Sequence, residues 1–252
     1  MGSNALYQLL EAEAAKRNCS TELCDATPDP LLIARREGTA EGALVAALFA
    51  YGNVRAILGF LESLDFSLLY GEEAAIPPSM AGKYYRFQNQ EDVSAFFIAL
   101  NRLLKEGTLE APFMEGFRKE GNVLEGLATL IGRLEGFCPG ESRGLRFLLG
   151  TAPVPGKEAG ASPLKRWNMF LRWMVRKDCL DMGLWEGVEK SRLILPLDTH
   201  THAVSRKLGL TRRKNADLKT ALEITAKLRK MDPADPVKYD FALYRIGQEK
   251  LL

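Results

Sequence analysis

The chain has 252 residues, 46% hydrophobic and 26% charged, with 34 Lys and Arg against 32 Asp and Glu. That is the make-up of an ordinary globular protein, long enough for one large domain or two small ones. No apolar run approaches the ~20 residues of a membrane span, and the N-terminus lacks the basic-then-apolar pattern of a signal peptide. Four cysteines, Cys19, Cys24, Cys138 and Cys179, are too few and too scattered for a disulfide scaffold or a zinc quartet. The expectation is a cytoplasmic monomer with no metal, no cofactor and no membrane partner.

Periodicity is helical from end to end, and strand patterns are almost absent. Residues 4–16 read as a first helix, with Leu6, Leu9 and Leu10 on one stripe. The span Asp25 to Pro30 is a turn-rich break. Glu41 to Ala50 is a small-residue apolar helix ending at Gly52, a suitable C-terminal cap, after which Asn53 can cap a helix over 54–64. Pro77-Pro78 mark a loop. Glu91 to Leu104 is amphipathic through Val93, Phe96, Phe97, Leu100, Leu103 and Leu104, and Asn122 to Leu134 repeats the pattern. The Gly- and Pro-rich stretch from Cys138 to Ala161 reads as a linker. Helices resume at Pro163, Thr199, Ala216 and Pro236. The fold class is all-α, with a boundary near 140–160.

Charge is unevenly spread. Residues 1–162 carry 15 Lys/Arg against 21 Asp/Glu, whereas residues 163–230 carry 16 against 7. A basic block within an acidic chain suits contact with a phosphate backbone; solvated Lys/Arg-rich helix faces produce the same count.

The basic block opens at Ser162-Pro163, a helix start in which Ser caps and Pro takes the first position. Lys165 and Arg166 then fall in the first turn, where the macrodipole prefers acidic residues. Both the dipole and the neighbouring Arg166 disfavour a charged lysine, and a lysine with a depressed pKa is a nucleophile able to form a Schiff base. A snorkelling surface lysine is the alternative. Leu164, Trp167, Leu171, Met174 and Val175 make an apolar stripe, while Lys165, Asn168, Met169, Arg172 and Arg176 run along another face, beside Phe170 and Trp173. Aromatics near a basic stripe suit base stacking; more commonly they are core.

Further on, the apolar run Leu193–Leu197 leads into Asp198-Thr199-His200-Thr201-His202. Asp198 reads as an N-cap, its carboxylate kept ionised by backbone N–H groups and the dipole. A metal-hydrolase reading of the two histidines fails on geometry, because helix residues two apart point about 200° away from each other.

These residues resemble the helix-hairpin-helix DNA glycosylase superfamily, in which a lysine opens the helix after a hairpin and an apolar run ends in Val-Asp-Thr-His. Lys165 and Leu197-Asp198-Thr199-His200 through Arg206-Lys207-Leu208-Gly209 are the counterparts. More closely, the chain is similar to an uncharacterised bacterial family bordering that superfamily, on Ala46 to Val54, Tyr85-Arg86-Phe87-Gln88, Lys165 to Lys177, Pro196 to His202 and Asp235 to Leu243. The 33 positions between Lys165 and Asp198 are similar to the spacing in archaeal 8-oxoguanine DNA glycosylase. Two departures stand out: Gly160-Ala161-Ser162-Pro163-Leu164 replaces the usual Leu-Pro-Gly-x-Gly, and the iron–sulfur cysteines of some relatives are missing.

The resemblance implies two helical subdomains around a cleft. Residues 38–140 form the central helical bundle, and residues 1–37 with 141–252 form the second subdomain. It implies a DNA glycosylase/AP lyase of base-excision repair, acting on double-stranded DNA with a damaged base such as 8-oxoguanine. Lys165 and Asp198 are then catalytic, and Arg166, Arg172, His200, Arg206, Tyr51 and Asn53 contact DNA. A non-catalytic nucleic-acid-binding protein of the same fold stays open beside it.

Overall fold

A computed structural model describes residues 3–23 and 28–249 of the chain. Cys24 and the Asp25–Thr27 part of the expected break lie outside the described residues. Among the described residues there are thirteen α-helices and no strands, only two isolated β-bridges, so the protein is all-α. The chain divides into two compact units, residues 28–154 on one hand and residues 155–252 with 1–27 on the other.

The first helix, α1 (Ser3–Arg17), belongs to the second unit. Within residues 28–154, α2 (Leu31–Glu37) packs on α3 (Ala40–Leu48). Every residue from Gly42 to Leu48 is buried, so α3 has no solvent face and is a central rod of this unit. Thr39 caps it by accepting from the Gly42 N–H, and Asn53 caps α4 (Val54–Glu62) by accepting from Arg55 and Ala56.

The two prolines expected in a loop lie in α5 (Ile76–Ser79), a single turn. The longest helix, α6 (Gln90–Glu106), starts with a capping box in which Asn89 and Asp92 exchange side-chain and backbone bonds, and it buries Val93, Phe96, Phe97, Leu100 and Leu103. Its buried Asn101 donates to the carbonyls of Leu68, Leu69 and Gly71, which ties down the chain before α5. α7 (Glu110–Glu120) and α8 (Val123–Phe137) form a tight pair. Gly116 sets their spacing, since a Cβ there would lie 2.3 Å from the Glu125 carbonyl oxygen.

The stretch read as a linker contains α9 (Arg143–Leu149), which buries Leu145, Leu148 and Leu149 and packs on α6. Its cap, Ser142, accepts from Leu145 N–H and donates to Asp92, so the starts of α6 and α9 share one carboxylate. Glycine and proline counts predict a linker here because they miss three leucines spaced for one buried face. The unit therefore includes α2 and α9 and runs past the expected limits of 38 and 140 on both sides.

In the other unit, α10 (Lys165–Val175) buries Trp167, Phe170, Leu171, Trp173 and Met174. A long irregular segment follows, and its N–H groups at Met182, Gly183 and Trp185 satisfy the last carbonyls of α10. The buried run Leu193–Leu197 is pinned where Leu195 N–H donates to Thr225 on α12. The remaining helices are α11 (Thr199–Lys207), α12 (Leu218–Arg229) and α13 (Asp240–Gln248), with α13 packed against both α11 and α1.

Candidate functional site

Lys165 is the first residue of α10, and its position is set by an unusual entry. Leu164, the residue before it, has φ of 52°, a left-handed conformation that is costly for a residue with a Cβ. Three contacts hold it there. Leu164 is buried, its N–H donates to Ser162 Oγ at 3.3 Å, and Asn168 Nδ2 donates to the Pro163 carbonyl at 3.0 Å. Ser162 is therefore not the helix cap expected of it: its hydroxyl closes a short turn two residues ahead, and the helix begins at Lys165 rather than Pro163.

Asp198 caps α11 as its position suggests. Oδ1 accepts from the Thr201 N–H at 2.8 Å, leaving Oδ2 for Lys165 Nζ at 3.2 Å. The lysine side chain is 34% exposed and the aspartate 16%, so the pair is set into the surface yet reachable. Burial pushes the Asp198 carboxyl up, but Lys165 and the Thr201 N–H outweigh it and hold it below the usual carboxylate range. An ionised carboxylate beside a primary amine can steady a developing cation at the point where that amine attacks.

The surrounding residues sort by exposure. Arg166 is half-buried in the same first turn, while His200 and Arg206 are exposed on α11. His202 is buried, its ring Nε2 3.1 Å from the Arg213 carbonyl oxygen, so the two histidines face different surroundings. Among the described residues no group of three or more His, Cys, Asp or Glu is placed to hold a metal ion. In the unit of residues 28–154, Tyr51 is half-buried and its hydroxyl donates to Gln88, while Asn53 spends its side-chain oxygen on capping α4.

Arg172 requires a correction. It is 2% exposed and cannot reach a nucleic acid. Its guanidinium binds Asp181 at 3.1 Å and Asp240 at 2.5 Å and lies 4.5 Å from the Phe241 ring centroid. Arg176, on the same expected basic face, is buried too and pairs with Asp178, Asp181 and Asp235. Burial pushes the Arg172 guanidinium down, but its two carboxylates more than reverse that and keep it charged. Helical spacing places a residue on a face; whether that face meets water depends on what packs against it.

Sequence reasoning missed Asp217. It caps α12 through Thr220, and its other oxygen accepts from the Gly160 N–H at 2.9 Å and from Arg213 at 2.8 Å. With Leu218 N–H donating to Ala161, this fastens the loop that leads into Lys165. The N-cap preference for Asp just before a helical run was the available signal, hidden because the helix was expected to start two residues earlier, at Ala216.

Residues 29–249 match the family described as a protein of unknown function (DUF2400), and the chain belongs to it. No curated protein and no solved structure gives a significant match. Among the described residues, no helix is long and apolar enough to cross a membrane.

Proposed function

We propose that the protein is a DNA glycosylase/AP lyase of base-excision repair, acting on an oxidised purine such as 8-oxoguanine in double-stranded DNA. The observation that carries this reading is the Lys165–Asp198 pair, a reachable amine 3.2 Å from a carboxylate on a helix cap. The damaged base is flipped out of the stack to expose its sugar. Lys165 first gives its ammonium proton to solvent and then attacks C1′ as the free amine: the N–C1′ bond forms, the bond from C1′ to the base breaks, and the base takes one of the two amine protons as it leaves. Opening of the sugar ring gives a Schiff base, and loss of a C2′ proton then expels the 3′ phosphate. Asp198, held ionised, is a weak proton acceptor and is better suited to stabilising positive charge on the sugar.

A specific observation favours the alternative, a non-catalytic nucleic-acid-binding protein of the same fold. The Gly160 N–H, in the segment that stands where relatives carry a Gly-x-Gly hairpin, is committed to Asp217. Such a donor is not offered to a DNA phosphate.

Borohydride trapping decides between them, with duplexes containing 8-oxoguanine, an abasic site or no damage. The glycosylase/lyase reading expects a covalent adduct that depends on the lesion and disappears in a folded Lys165→Gln variant. A folded, DNA-binding protein that yields no adduct with any duplex refutes it and supports the alternative.

A further inference from the structure

The unit of residues 28–154 presents a second feature, unrelated to Lys165. Tyr85–Gln88 is a two-residue hairpin turn: Tyr85 and Gln88 exchange backbone hydrogen bonds, both 2.9 Å, with Arg86 and Phe87 at the tip. Arg86 sits at φ 54°, a conformation rarely adopted by a residue with a Cβ. The base of the turn is fixed by Gln88, fully buried, which donates to the Gly144 carbonyl at 2.8 Å and accepts from the Tyr51 hydroxyl. The packing therefore enforces a strained turn whose two tip side chains point to solvent.

Phe87 is 56% exposed and Phe147 42%, a costly display of aromatic surface for a chain with no partner. The rings are already ordered. Tyr51 and Phe87 are parallel within 2° with centroids 6.3 Å apart, and Phe147 stands edge-on to each at 5.0 Å. The Arg86 guanidinium lies 5.9 Å from the Tyr51 centroid and 5.5 Å from that of Phe87. Arg143 is one helical turn before Phe147, on the same face of α9. Arg102 and Arg133 of this unit are ion-paired; among the described residues no carboxylate lies within ion-pair distance of Arg86 or Arg143.

We propose that this hairpin tip is a binding site for unpaired nucleotides of a single-stranded nucleic acid, with a base stacked on the outer face of Phe87 and phosphates at Arg86 and Arg143. The parallel Tyr51 ring makes a preformed stack that a base extends without ordering new side chains. Bases inside a duplex have both faces covered, so a ring projecting from a turn stacks only on a base whose face is free. The two cations beside the rings select a polyanion over an apolar peptide.

The test uses the full chain carrying Lys165→Gln, so that covalent capture plays no part, and fluorescence anisotropy with single-stranded oligothymidylate and a blunt duplex of equal length. Single strands bind, and Phe87→Ala weakens single-strand binding about tenfold while leaving binding of the duplex unchanged. Phe87→Trp keeps the affinity, and its indole emission is quenched on binding. Changing Arg86 and Arg143 together to Gln flattens the slope of log affinity against log salt by about 1.4, or 0.7 per lost phosphate contact. Phe87 is exposed, so its loss leaves the core intact. Unchanged single-strand affinity in Phe87→Ala, an equal loss of duplex affinity in that variant, or no single-strand binding overturns the proposal. None of these outcomes bears on trapping at Lys165, so the two readings fail separately.

Discussion

Replacing Arg172 by methionine keeps most of its length and removes its charge from the interior. Asp181 retains Arg176 as a partner, but Asp240, also buried, loses the one cation that is ion-paired with it among the described residues. Breaking a buried ion pair on one side costs about 3–5 kcal/mol, because the remaining charge is left without compensation. The lost contact with Phe241 adds to this. The stranded carboxylate can escape only by protonation. Burial already pushes Asp240 up while Arg172 pulls it down, so removing Arg172 raises it further. A carboxyl whose folded pKa lies above its unfolded value loses stability as pH rises through the folded value; the deficit of the variant is therefore smaller in mild acid than at neutral pH.

All three tryptophans, Trp167, Trp173 and Trp185, lie in the unit that contains this network, so their fluorescence during urea unfolding follows that unit alone. Adding Asp240→Asn to Arg172→Met removes the stranded charge and recovers at least about 1 kcal/mol of the loss. A single variant that loses less than about 1 kcal/mol, or a double variant no more stable than the single one, refutes the argument.

Two further predictions rest on single residues. Burial pushes Asp217 up, but the Gly160 N–H, Thr220 and Arg213 outweigh it and hold it at about 2. Since that lies below the unfolded value of about 3.9, its stabilisation is fully present above pH 4 and is lost as pH falls toward about 2. Asp217→Asn removes this contribution, so urea midpoints of variant and wild type converge in acid; a gap independent of pH argues against it. Gly116→Ala drives a Cβ against the Glu125 carbonyl and forces α7 from α8, costing about 1–3 kcal/mol in urea unfolding followed by circular dichroism. No loss of stability means the helices part more easily than their packing suggests.

The readings that were legible in sequence are those whose cause is local. The apolar spacing of Val93, Phe96, Phe97, Leu100 and Leu103 is enough to define α6, because a helix buries whatever recurs at its own period. Asp198 could be recognised as a cap for a similar reason, since its partner Thr201 is three residues away.

Tertiary structure decided the rest. Arg172 and Lys165 stand seven positions apart on one helix with the same basic character, yet one faces a buried pair of aspartates and the other an open carboxylate. The deciding partner of Arg172, Asp240, is 68 positions away, beyond any local pattern. The short helix α9 was hidden by the glycines and prolines on either side of it, and the tip of the Tyr85–Gln88 turn gained meaning only when Tyr51 and Phe147 packed beside it. Periodicity is written into neighbouring residues, whereas burial and charge compensation depend on which distant segments meet, and that is settled only by packing.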